Sequence, residues 1–497
     1  MERTTGILLP IFSLPSNQGI GDFGKHCTRF IDKLADHHVK IWQILPLNPV
    51  GYGNSPYQPY SSYAGDEIYI SIDTLADYGL LKQSSIRNYN KFSERVDYQG
   101  VRAFKEPYLK KAYKTFQKNF KKFEKEYQMF KSQAEWLYPY AVFITLKKHN
   151  DMKPWQQWPK EQRDWIVDRQ FSLRNFEADI LYEEFLQFIF YKQWMQIRNY
   201  ATLKGIKIMG DMPFYVGLDS ADVWQNQHEF LLDADGNPLS IAGVPPDYFS
   251  EDGQRWGNPI YNWKRMKKQK YSFWMRRLEW SKECFDITRI DHFRAFDTYW
   301  KIPAECPTAK VGEWVLGPAY DFFDELYRRM PDIQIVAEDL GDLRKQVHKL
   351  RDHYNLLGMN VAEFEMSPKL LKKKRREHVI LYTGTHDNDT IKGFYQELSS
   401  NKKIALRRYF HNCGYDNRNF HELVVRYCLD SVAEVVIIPV QDLLGLGSEG
   451  RINTPGTISD DNWVWKLKNL KEVYDFLPTL SEWIVASKRD EESVKEA

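Results

Sequence analysis

Cysteine is scarce in this chain of 497 residues: five, at Cys27, Cys284, Cys306, Cys413 and Cys428, far apart and without a CxxC pair. That pattern excludes a disulfide framework and a cysteine zinc site, and it fits a reducing cytoplasm. No apolar run approaches the roughly 20 residues needed to cross a bilayer. The stretch from Gly6 to Leu14 has the look of a short secretory signal, but Glu2 is acidic, Pro10 interrupts it and no small-x-small cleavage site follows. An excess of one charge is also missing. A formal net charge of +2 argues against a nucleic acid or another polyanion as the main partner. There is no HExxH and no EF-hand loop, so neither a metal nor another cofactor is expected. No internal repeat or low-complexity segment stands out.

What is present is a set of eight short apolar, β-rich runs, at 6–11, 39–47, 206–214, 287–293, 333–340, 360–364, 379–385 and 435–440. Helix-patterned segments such as 25–37 and 320–330 lie between most of them. Alternation of strand and helix signals predicts a parallel sheet with crossover helices. A count of eight favours a closed (β/α)8 barrel over an open doubly wound sheet. The whole chain, 1–497, then reads as one barrel with two large insertions. The first, largely helical, spans 66–204 between the second and third strands. The second, over 215–284 between the third and fourth, is rich in Gly and Pro and suits a lid.

Within the first insertion Leu109, Tyr113, Phe116, Phe120, Phe123, Tyr127 and Phe130 recur at alternating steps of four and three. They predict one amphipathic helix with a narrow aromatic seam, packed on a neighbouring helix over 136–148 with its lysines in water. The basic run Lys372–Arg376 reads as a solvated helix end before the seventh strand. The aromatic share of 15% suits a large core, and also sugar stacking, since pyranose rings present apolar faces to flat side chains.

Three acids stand at the downstream ends of three of these runs: Asp291 in FDITRIDHFRAF, Glu338 in IQIVAEDLG and Asp387 in VILYTGTHDND. In a (β/α)8 barrel the C-terminal strand ends converge on one mouth, which is where catalytic side chains sit. Asp211 ends the third run and is a fourth candidate for the rim. Arg289 precedes Asp291 by two positions and so faces the same way along a strand, where its guanidinium would hold Asp291 ionised. Retaining glycoside chemistry requires one ionised carboxylate to attack and a second that starts protonated. Glu338 suits the second role, because burial beside like charges raises its pKa.

The run RIDHFRAF resembles the nucleophile segment of the α-amylase superfamily, AEDLG its acid/base strand and GTHDN the segment of its third catalytic Asp. GDMPFYV points to one branch, the 4-α-glucanotransferases known as amylomaltases or disproportionating enzymes. Blocks from Ser13, Gly51, Gly243 and Gln441 agree with it, and the resemblance covers the chain except for 69–163. It implies Asp291 as nucleophile, Glu338 as general acid/base and Asp387 as the group gripping sugar hydroxyls in the transition state. It also implies sugar contacts from Tyr57, Asp211, Trp256, Asn258, Arg289, His292 and His386, with Tyr52 as a secondary glucan contact. The partners implied are α-1,4-glucan donors and acceptors. Phe12 and Gly450 depart from the family pattern at positions that carry no catalysis. An α-1,4-glucan hydrolase is the alternative, a non-catalytic glucan-binding protein a more distant one, and a metal-dependent barrel hydrolase more distant still.

Overall fold

The computed structural model describes residues 3–89, 94–246, 250–416 and 418–490. Eight parallel strands form one sheet: Thr4–Leu8, Ile41–Gln43, Lys207–Met212, Ile287–Ile290, Ile335–Ala337, Gly358–Val361, Val379–Tyr382 and Val435–Pro439. Numbered along the chain, they pair in the order 6-7-8-1-2-3-4-5. The fifth and sixth close the ring through a parallel bridge between Val336 and Leu357, with Ala337 N–H donating to the Leu357 carbonyl at 2.8 Å. All eight expected runs carry a strand, each shorter than its apolar run, because the ladder ends where the chain turns outward at the rim. The strands are short and almost wholly buried, as a barrel covered by helices requires.

The chain from the first strand to the helix Lys25–Asp36 contains Gly19, Gly21 and Gly24, the spacing of a dinucleotide-binding turn. Their setting is one of packing. A Cβ on Gly21 would lie 1.8 Å from the Ile11 carbonyl oxygen, and Gly24 N–H already donates to Asp22 Oδ1 at 3.1 Å.

Between the second and third strands lie the helices Tyr98–Lys118, Phe120–Gln133, Leu137–His149 and Glu177–Leu203. The aromatic seam therefore runs over two helices that break at Asn119, rather than one. It also packs mainly on the long helix Glu177–Leu203 and only at its end on the 137–149 region. Phe116 lies 5.0 Å from Phe185, Tyr127 5.4 Å from Phe188 and Phe130 4.9 Å from Tyr191. The longer helix offers aromatic rings at the matching steps, which the shorter one does not. Nor do all the seam's lysines face water: Lys131 Nζ reaches the buried Glu184 at 2.8 Å, beside a 2.7 Å bond from the Tyr127 hydroxyl. The basic run at 372–376 follows the single-turn helix Pro368–Leu371, and its Arg375 turns inward to Glu365 at 2.8 Å.

A second, antiparallel sheet sits beyond the rim, in the order Gln254–Pro259, Ser240–Val244, Thr298–Pro303, Glu313–Leu316. It builds part of the region read above as loop. Among the described residues no helix is long and apolar enough to cross a membrane.

Candidate active site

The site is built from the C-terminal ends of the third, fourth, fifth and seventh strands. Asp211 and Arg289 are register partners across the third and fourth strands, and both are buried. One Arg289 amino group lies 2.7 Å from each Asp211 oxygen, and the other reaches Asp291 Oδ1 at 3.1 Å. Arg289 is thus shared, with Asp211 the closer partner. A charge buried this deeply requires such pairing.

Asp291 begins the turn after the fourth strand, its N–H held by the Met212 carbonyl at 3.0 Å. His292 follows at φ +53°, a left-handed conformation uncommon for a residue with a Cβ. That turn aims the His292 N–H at Glu338 Oε2, 2.8 Å away, while Leu340 N–H donates to Glu338 Oε1 at 3.1 Å. The Glu338 carboxyl is therefore fixed by the residue next to Asp291. The backbones interlock as well: Glu338 N–H donates to the Ile290 carbonyl and Phe293 N–H to the Glu338 carbonyl, each at 3.1 Å.

Asp387 stands on the opposite side, after the seventh strand. Its Oδ1 accepts from Asn453 Nδ2 at 2.6 Å, its Oδ2 lies 3.3 Å from His386 Nε2, and its carbonyl accepts from Arg451 at 2.9 Å. Tyr57 joins the two sides. Its hydroxyl donates to Asp211 Oδ2 at 2.8 Å and lies 2.9 Å from His386 Nε2, and its ring stacks on His386 at 5.3 Å. Trp463 packs on both rings, 5.7 Å from Tyr57 and 6.0 Å from His386.

These contacts set the ionisation. Burial pushes Asp291 up to about 6; Arg289 opposes this, while Asp211 and Asp387 add to it. Arg289 favours the charged form of Asp291, as expected, but burial outweighs it and leaves the carboxyl above its ordinary value, though still mostly ionised at neutral pH. Burial and then Asp291 push Glu338 up to about 7, with Arg289 and the two backbone N–H groups opposing. For Asp387 burial also favours the neutral form, but His386 and Asn453 outweigh it and hold the carboxyl at about 2. Burial lowers His292 to about 3, so its imidazole is neutral. The result is two ionised carboxylates and one carboxyl poised near neutrality. Asp291 and Asp387 keep 31% and 42% of their side-chain surface open to the cleft, so a sugar can reach them.

The remaining residues singled out from the sequence border the cleft. Trp256 sits edge-on to His292 at 4.8 Å, in a strand whose Trp256 carbonyl accepts from Gln58 Nε2 at 2.7 Å. That bond ties the lid strand to the loop carrying Tyr57. Asn258 is brought near but is buried, with its amide donating to the Val216 carbonyl at 2.9 Å. The side chain of Tyr52 and residues 247–249 lie outside the described part. Asn453, Arg451 and Trp463 were missed by the residue-level reading, although Asn453 and Arg451 fall in the block from Gln441 that carries the family resemblance. Among the described residues no group of three His, Cys, Asp or Glu side chains is placed to hold a metal ion.

A closed parallel barrel with a buried arginine and unequal carboxylates at its C-terminal mouth defines the class: a carbohydrate-active barrel enzyme. A profile described as 4-alpha-glucanotransferase matches residues 9–471. Curated proteins of that name from Synechocystis sp. and Thermus thermophilus are 41% and 39% identical, each alignment covering 94% of this chain and 94% and 95% of theirs. An amylomaltase from Streptococcus agalactiae, solved in complex with acarbose, superimposes with a TM-score of 0.91 at 34% identity, covering 98% of this chain and 100% of that one. The chain belongs to the 4-alpha-glucanotransferase family.

Proposed function

We propose that this 4-alpha-glucanotransferase works by double displacement on Asp291, passing an α-1,4-glucan segment from a donor to the 4-hydroxyl of an acceptor glucan or glucose. In the first half, an Asp291 oxygen attacks the anomeric carbon while Glu338 gives its proton to the departing glycosidic oxygen. In the second, Glu338 takes the proton from the acceptor hydroxyl as that oxygen displaces Asp291, so the configuration is retained. Asp387, held ionised by His386 and Asn453, grips ring hydroxyls as positive charge builds on the sugar. Arg289 and Asp211 form the charged floor, and Tyr57 and His386 offer a flat ring pair and polar edges to the bound glucose. Trp256, Asn258, His292 and Tyr52 complete the proposed sugar contacts.

The observation carrying this reading is the His292 N–H bond to Glu338. It places the carboxyl poised near neutrality beside the ionised Asp291. A cytoplasmic setting is part of the proposal and rests on five unbridged cysteines.

Incubation of pure maltotriose tests the outcome, because water can replace the acceptor in the second half without any other change. Glucose together with glucans longer than three units is expected. Only shorter products would identify a hydrolase instead.

A further inference from the structure

Away from the carboxylates, a cleft of about 820 Å³ opens on the flank of the barrel. The chain before and within the first helix (Lys25–Asp36) forms one wall, and the segment entering the last helix (Lys471–Ala486) forms the other. Lys466 lines it. That residue is 7% exposed, and its ammonium has neither a hydrogen-bond nor an ion-pair partner among the described residues. Its backbone is pinned: Lys466 N–H donates to the Glu94 carbonyl at 2.9 Å, and Leu467 N–H to the Ser13 carbonyl at 2.8 Å. The backbone carrying Lys466 is therefore fixed at the cleft wall.

The stem of Lys466 is buried and its ammonium faces the cleft without a counter-charge from the described residues, which leaves an anion in the cleft as its natural partner. Burial alone pushes the Lys466 pKa down, with no acid nearby to restore it. The acids on the cleft wall are already engaged. Glu94 pairs with Lys468 at 3.2 Å and Asp475 with Lys471 at 2.7 Å, and Arg95 is paired with Asp461. The adjacent His26 is neutral at pH 7, its pKa lowered by burial and then by Lys25 and Arg29. What remains without an acidic partner among the described residues is Lys466 and, on the other wall of the cleft, the solvent-exposed Arg29. Beside them stand the Asn469 amide and Tyr474, whose buried hydroxyl also has no partner.

We propose that this cleft is a second ligand site for a phosphate monoester of the size of a phosphorylated hexose, its dianion held between Lys466 and Arg29. A point charge and a planar fork of donors match the charge and geometry of a phosphoryl group. The volume falls within the range of small-molecule pockets and exceeds what a bare anion fills. A neutral glucan would leave the Lys466 charge uncompensated.

Calorimetric titration of the intact enzyme with glucose 6-phosphate, inorganic phosphate and glucose tests this. Glucose 6-phosphate is expected to bind with a Kd below about 1 mM, more tightly than glucose, which the proposed reaction takes as an acceptor at the active site and whose binding should be the same in Lys466→Met. Inorganic phosphate binding equally well assigns the site to the free anion; weaker binding assigns it to the ester. Lys466→Met should weaken glucose 6-phosphate binding at least about tenfold, and Arg29→Gln, an exposed position, several-fold, with maltotriose turnover unchanged in both. Absence of heat with both phosphate probes overturns the proposal. So does unaltered glucose 6-phosphate binding in Arg29→Gln together with unaltered binding in a folded Lys466→Met.

Discussion

At the scale of single residues, the chemistry depends on carboxyls of one type being given unlike environments. Asp387 meets an imidazole and an amide, whereas Glu338 meets another carboxylate and two backbone N–H groups. With the Asp291–Glu338 pair titrating near 6 and 7, the proposed first displacement requires Asp291 to have lost its proton and Glu338 to keep one. Hence kcat/KM should rise as pH passes about 6 and fall as it passes about 7, a narrow bell reporting the free enzyme. Glu338→Gln, measured on a donor with a good leaving group, should lose the alkaline limb. A flat profile from pH 6 to 9 in the parent enzyme would contradict the assignment. Asn453 has a narrower task, since its amide holds Asp387 Oδ1 at 2.6 Å. Asn453→Ala should lower kcat about 10- to 100-fold, the scale of losing a partner that orients a functional ligand, with thermal stability little changed. Unaltered kcat would show that Asp387 is positioned without it.

Elements differ in how openly the sequence announces them. The barrel strands were legible because each is a short, largely apolar and buried run, several of them ending in polar residues at the rim. The acids were legible for the same reason, each standing at or shortly after the end of such a strand. The antiparallel sheet was not. Its edge strand Gln254–Pro259 contains Gly257 at φ +77° and ends in proline, a composition that reads as loop. Asn453, Arg451 and Trp463 carry no periodic signal, and only the folded chain brings them across to Asp387 and Tyr57. The seam helix was found, but its break at Asn119 falls inside an unbroken apolar period, which hides it. Its partner helix brings a second consequence. Glu184, 1% exposed, accepts from Tyr127 and Lys131. In Glu184→Ala, Lys131 can swing into water, whereas the buried Tyr127 hydroxyl loses its only hydrogen-bond partner among the described residues. A loss of about 2 kcal/mol is expected from the shift in the urea midpoint. An unchanged midpoint would mean that the pairing contributes nothing to stability.

Over the whole molecule, a barrel of local βα units carries two insertions that return to its mouth from distant parts of the chain. The Tyr57 loop follows the second strand, the Trp256 strand follows the third, and the segment with Asn453 and Trp463 follows the eighth. Gln58 joins the first two of these. A mouth roofed by aromatic loops suits a reaction in which a sugar hydroxyl must reach the intermediate before water does. That intermediate is the central claim. Brief reaction of Glu338→Gln with an α-maltotriosyl fluoride, acid quenching and peptide mass spectrometry should find one maltotriosyl group, on the peptide holding Asp291, and none in the double variant that also carries Asp291→Asn. A glycosyl group on another carboxylate, or no adduct while fluoride is still released by that variant, would contradict it.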